Sequence, residues 1–305
     1  GLHVVGCELF SGDGARERAL AKIGTIEARA PAPRPSTTSP PATTTATPTT
    51  TPPVTTSPGP PAGCTTTTRH APGGPDGFGG CWPSASTTGV PAGTTLTAYT
   101  GSCVITAPTT ITAKTVTCTL DIRSTGVQIS NSLIRGVVYV VHPGAGFVTI
   151  TDSEIDCGGP TNSCLGKSDF YAARIHVHGG NRSVWCEYNC TVVDSYTHGQ
   201  ARDPSGQAHE GGIRMGDGST LRHNAIACDA PDVPPDAGCS ADLTGYGDFA
   251  PIRNNLIERN LFLASTGGAC AYGGSSGDDG TKPFGNQAAN IRFVDNVFQR
   301  GPGGK

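Results

Sequence analysis

A six-residue phrase recurs along this chain and restricts what it can fold into more than any other feature. It reads Ile129-Ser-Asn-Ser-Leu-Ile134, Ile150-Thr-Asp-Ser-Glu-Ile155, Val192-Val-Asp-Ser-Tyr-Thr197, Leu221-Arg-His-Asn-Ala-Ile226, Ile257-Glu-Arg-Asn-Leu-Phe262 and Phe293-Val-Asp-Asn-Val-Phe298. Its third position steps by 21, 42, 29, 36 and 36 residues. A unit of this length cannot bury its own apolar face, so the units must stack. Within the phrase apolar and polar residues alternate, as along a strand with side chains pointing in and out. A period near 21 allows roughly three short strands and three turns per coil, and the longer steps read as one coil carrying an insertion. Asn131, Asp152, Asp194, Asn224, Asn260 and Asn296 recur at the bend, where such side chains tolerate left-handed backbone and bond the turn. They predict a polar ladder, with the third-position residues from Asn131 to Asp295 aligned along one edge. The expected fold is all-β: a parallel β-helix, or solenoid, with loop insertions.

With this rhythm over about 100–300, the chain resembles the right-handed parallel β-helix proteins of the pectate-lyase-like superfamily. The run from Trp82-Pro-Ser through Thr88-Gly-Val-Pro91 to Leu96 is similar to the entry of secreted, actinobacterial-type members. The resemblance implies a right-handed coil and, by analogy, a polysaccharide partner.

Residues 1–30 are expected to be a leader or the remnant of an upstream segment, although Val4-Val5-Gly6-Cys7 matches a bacterial lipobox. Residues 31–62 hold 11 Pro and 11 Thr, a composition that stays extended and disordered and suits a spacer in a modular secreted or cell-surface protein. Residues 63–100 are expected to cap the solenoid, with Phe78 and Trp82 covering an open coil end. The β-helix is expected over 101–305, interrupted at Gly158–Asp169, Gln200–Glu210, Asp229–Phe249 and Gly273–Gln287. It reads as truncated at Lys305, where no C-terminal cap is evident. A net charge of −3 gives no nucleic-acid footprint, and no apolar run reaches the roughly 18 residues of a membrane span. A monomer is expected.

Twelve cysteines without a complete metal motif point to disulfides and an oxidising compartment. Short brackets predict Cys64 with Cys81, Cys103 with Cys118, Cys157 with Cys164, Cys186 with Cys190, and Cys228 with Cys239. Cys7 and Cys270 are left over, and Cys270 is expected to be free because its partner would lie downstream.

Five of eight histidines lie between 176 and 223. If Arg174 to His178 is a strand, Ile175 and Val177 point in, and His176 and His178 point out. Aligning Ile213 with Ile175 then sets Arg214 on the same outward row, walled by loops carrying His198, His209 and Glu210. One reading is β-elimination on an acidic polysaccharide. His176 or His209 would be the base, Arg214 would neutralise the uronate carboxylate, Glu210 would assist, and His178, His198 and Tyr246 would hold the sugar. A second reading of these residues is metal binding, by His176 and His178 with His198, or with His209 and Glu210. A third is structural stacking along the ladder. Hydrolysis would need two carboxylates, and Asp203, Glu210, Asp217, Asp242 and Asp248 supply no recognised pair. Asp229, Asp232, Asp236 and Asp242 offer a loop for Ca2+, although a solvated, disulfide-closed loop accounts for them as well. The non-catalytic alternative is a carbohydrate-binding or cell-surface module.

Overall fold

The structure, a computed structural model, describes residues 63–159, 163–267, 269–274 and 282–299. The expected leader, lipobox and Thr/Pro spacer lie outside the described residues. The described strands form two sheets, and their ladders are all parallel. Nine strands of two or three residues make one sheet: Thr97–Ala98, Lys114–Val116, Leu133–Arg135, Glu154–Asp156, His176–His178, Tyr196–Thr197, Ala225–Ile226, Leu261–Phe262 and Val297–Phe298. The other, of twelve strands, runs from Val104–Ile105 to Ala289–Val294. Along the chain the strands visit the two sheets in turn, the connectivity that stacked coils require.

In the early coils the larger sheet takes two short strands per coil, such as Val138–Val140 and Val148–Thr151. Both pair with the single long strand Ser163–Ala173 of the following coil. Three segments expected as loop are therefore partly strand, the second because His209–Arg222 takes in its last two residues. Ser163–Ala173 begins inside the first insertion, and Gly238–Thr244, inside the third, pairs with His209–Arg222.

The phrase builds the core through its first and sixth positions. Ile111, Ile129, Ile150, Ala172, Val192, Leu221, Ile257 and Phe293 stack in register across successive coils. Val116, Ile134, Ile155, Val177, Thr197, Ile226, Phe262 and Phe298 form the second stack. Residues 111–116 and 172–177 are thus two further coils, with Ala113 and Arg174 at the third position. The 42-residue step is two coils of 22 and 20 residues.

The third position is left-handed throughout, with φ near +50° at Ala113, Asn131, Asp152, Arg174, Asp194, His223, Arg259 and Asp295. From Ala113 to Arg259 the backbone N–H there bonds to a carbonyl of the next coil, as Asn131 does to Thr151 and His223 does to Glu258. The side-chain ladder belongs to the fourth position, which corrects the mixed row expected from sequence. The backbone N–H of Lys114, Ser132, Ile175, Ser195, Asn224 and Asn260 donates to the side-chain oxygen of Ser132, Ser153, Ser195, Asn224, Asn260 and Asn296, at 2.9–3.2 Å. One rung is missing, because Ile175 has no oxygen to offer Ser153.

Thr97–Ala98 is the terminal strand of the small sheet, and residues 63–96 precede it. They form a strap running back along the outward side of the small sheet. The Gln299 amide donates to the His70 carbonyl, and Arg259 lies 4.9 Å over the Phe78 ring. Trp82 is fully buried against Ala225 and Leu261 and stacks on His223 at 5.5 Å. Gly89 N donates to the Arg174 carbonyl at 3.0 Å, and Thr97 pairs with Lys114 in the first strand of that sheet. Phe78 and Trp82 supply the apolar surface expected of a cap, but they apply it to the flank.

Five disulfides join the sequence brackets, Cys64–Cys81, Cys103–Cys118, Cys157–Cys164, Cys186–Cys190 and Cys228–Cys239. Cys270 is disulfide-bonded too, which corrects the expectation that it is free. Among the described residues no helix is long and apolar enough to cross a membrane.

Candidate functional site

The residues singled out from sequence divide between two places. Arg174 is not the start of a flat strand; at φ +53° it is a corner between the two sheets. The next strand, His176–His178, belongs to the small sheet, whereas Arg214 lies within His209–Arg222 of the large one. His176 and Arg214 therefore do not share an outward row. Aligning Ile175 with Ile213 placed both correctly in the core but overlooked the corner between them.

On the small sheet, register opposes Glu154 to His176 and Asp156 to His178, and then His176 to Tyr196. Ile155, Val177 and Thr197 between them are fully buried, so alternation turns Glu154, Asp156, His176, His178, Tyr196 and His198 outward as one patch. His176 Nε2 lies 2.8 Å from His198 Nε2, and His178 Nε2 lies 2.9 Å from Glu154 Oε1. Tyr196 stacks on His198 at 4.4 Å and on His176 at 5.6 Å. Burial and the neighbouring His198 and His178 pull the His176 pKa down to about 4. Its ring is neutral at neutral pH.

The large sheet carries a cleft of about 920 Å3. Its cations are Arg182, Arg214 and Lys282, and its aromatic residues are Tyr246 and Tyr272. The wall opposite is the inserted segment from Asp232 to Ser240. Arg214 is only 6 % exposed; it is held by Asp248 at 2.9 Å and by the Tyr246 carbonyl at 3.0 Å. Lys282 reaches the other Asp248 oxygen at 2.7 Å. Burial works against the Asp248 carboxylate, but these two cations hold its pKa below the usual range. Arg182 is pulled down to about 10, chiefly by burial and then by Arg214. Tyr246 and Tyr272 lie 4.6 Å apart, and Lys282 sits 4.9 Å over the Tyr246 ring. Burial, then a hydrogen bond with Tyr246, raises the Tyr272 pKa. At the rim His209 Nε2 is 2.9 Å from Asp236 Oδ2.

Arg214, His209 and Tyr246 thus share the cleft, while His176, His178 and His198 share the patch. Glu210 joins neither; it is 1 % exposed, and burial raises its pKa. Among the hydrolytic candidates, Asp203 closes its own loop through the N–H groups of Ser205, Gln207 and Ala208. Asp217 holds Arg253 and Asn254, and Asp242 is fully buried on the Cys228 N–H. The loop aspartates proposed for Ca2+ turn to separate partners: Asp229 to Gly199 N, Asp236 to His209 and Asp242 to Cys228 N. Sequence reading missed Arg182, Lys282, Tyr272 and Glu154. Glu154 had a signal, since it sits in register beside His176, whereas Arg182 stands opposite Ser163 and Gly211, which offer none. Lys282 and Tyr272 come from insertions without periodicity.

Comparisons with protein-family models, with curated proteins and with solved structures give no match.

Proposed function

We propose that this chain is a secreted protein of right-handed parallel β-helix type, of the pectate-lyase-like kind, and that the cleft on its large sheet binds an acidic polysaccharide. One observation carries the reading: Arg182, Arg214 and Lys282 line one cleft with Tyr246 and Tyr272. Guanidinium and ammonium groups bind a uronate carboxylate through charge-assisted hydrogen bonds, and aromatic faces stack on sugar rings. The five disulfides fit an oxidising compartment.

The reaction such a cleft suits is β-elimination. A base takes the proton α to the uronate carboxylate, cations hold the developing charge, and the glycosidic oxygen departs. We assign the base to His209 at the rim, whose Nε2–H donates to Asp236 and so leaves Nδ1, beside Ser240 Oγ, to accept that proton. A binding-only reading is favoured by Asp248, which already engages Arg214 and Lys282 and so lowers the positive charge left for a ligand. Retention on a panel of uronate polymers, together with absorbance of the unsaturated product, separates the two. Turnover that is lost in His209→Ala while retention persists supports the lyase. Retention without turnover in the parent chain supports the module. Neither retention nor turnover on any acidic polymer rejects the cleft reading.

A further inference from the structure

The histidine patch on the small sheet is separate from the cleft and has no role in the function proposed for it. From its geometry we propose that Glu154, His176, His178 and His198 form a binding site for a divalent transition-metal ion, with zinc the best match.

Three observations converge. Donor atoms of Glu154, His176 and His178 all lie within 4.8 Å of one another, the one such group among the described residues. His198 Nε2 lies 2.8 Å from His176 Nε2 but outside that group, so it joins as a fourth donor only once its ring turns toward Glu154 and His178. Bonds of about 2.1 Å in a tetrahedron put ligand atoms roughly 3.4 Å apart, so closing the set requires side-chain rotations that draw the group in and part His176 from His198.

The far side of two rings provides the second observation. His178 Nδ1 faces Asp156 Oδ1 at 3.7 Å, and His198 Nδ1 faces Asp229 Oδ2 at 3.8 Å. A carboxylate behind a histidine fixes its tautomer and orients the other nitrogen toward a metal. Here both carboxylates lie beside Nδ1 at charge-contact distance, one small shift short of a hydrogen bond, while Nε2 of His178 faces Glu154 and Nε2 of His198 faces His176.

The third observation is mounting. Glu154, His176 and His178 stand on two adjacent strands, and His198 directly follows the third, Tyr196–Thr197; Ile155, Val177 and Thr197 beneath them are fully buried. Gly89 of the strap passes over the patch; a Cβ there would lie 3.0 Å from His176 Cβ. Its N–H is tied to Arg174. Three imidazoles and one carboxylate suit zinc, whereas calcium takes six to eight oxygens. Four protein ligands leave no open position, so the ion is structural and holds strands of three coils together beside the strap.

The test uses the full chain, stripped with a chelator and titrated with Zn2+ or Ca2+ against a chromogenic zinc chelator. The expected result is one zinc per chain and no competition by calcium. His176→Ala and His178→Ala should weaken zinc by more than about 100-fold, and Asp229→Asn by about tenfold. His142→Ala, at an exposed position away from the patch, should leave the affinity unchanged. Co2+ bound to the parent chain should give the intense d–d absorption of a tetrahedral site, a readout that needs no variant to fold. No zinc uptake, equal uptake without His176 and His178, or a weak octahedral cobalt spectrum would overturn the proposal. Loss of acidic-polymer retention alone would leave it intact and count only against the cleft.

Discussion

The histidine patch and the cleft stand on the same solenoid but are held in place differently. The patch rises from strands of two or three residues in coils about 20 residues long, with its side chains set by alternation and register. The cleft rests on strands of 12 and 14 residues, and its walls are insertions fastened by Asp248, by the Cys228–Cys239 disulfide and by aromatic contacts. The comparison teaches that a site on regular coils inherits its geometry from the core, whereas a site walled by insertions must carry its own fasteners. The first kind should be sensitive to core volume and the second to single polar links.

The largest effect should come from the core beneath the patch. Ile155→Ala is expected to cost about 2–5 kcal/mol in denaturant unfolding. Phe249→Ala, in an insertion and 59 % exposed, should cost under about 1 kcal/mol although its ring contacts Trp185. Equal losses would erase the distinction. Next comes Arg214→Ala, which removes a charged link worth about 1.5–3 kcal/mol. Acidic-polymer affinity should fall about tenfold or more, while zinc affinity stays as it was. A fall in both would mean that the two sites are coupled.

A smaller effect depends on pH. Burial lowers the His223 pKa, but Asp194 at 2.7 Å and Asp76 of the strap at 3.2 Å outweigh it and raise the net value. A raised folded pKa stabilises fully below the unfolded value of about 6.5 and is lost as pH rises through the folded one. The strap over the patch should therefore grip more tightly at pH 6 than at pH 9, read as protection of Trp82 from quenching. His223→Gln should flatten that profile, and an unchanged profile would discard the link. The smallest effect expected is a gain. Ala113 sits at φ +52°, where Asn is better tolerated. Ala113→Asn should add up to about 1 kcal/mol, with both sites unaffected.

Much of the fold was legible because the phrase records the core directly. Its first and sixth positions are the two apolar stacks, and its third marks the left-handed corner. The coil at Arg174 was hidden because Arg-Ile stands where Asx-Ser or Asx-Asn would announce a bend. The same corner explains why His176 and Arg214 were read onto one row, since alternation within a strand carries no notice that the strand has turned onto another sheet. The patch was half legible, because His-x-His on a strand face is a local pattern, while Glu154 joins it across a coil. The strap was not legible. Trp82 and His223 are 141 residues apart, and nothing in a local pattern encodes such a pairing.

That strap also limits how a protein of this kind can change in size. Open solenoids grow by copying a coil, because each coil meets only its neighbours. Here one segment is measured against many coils at once, with Phe78 at Arg259, Trp82 at His223 and Gly89 at Arg174. A duplicated coil between Arg174 and His223 would move those anchors apart by about 4.8 Å, and a strap of fixed length would miss its marks. Copy number is thus buckled in place, and length can be inherited only as excursions from existing coils, the form that the inserted walls of the cleft take.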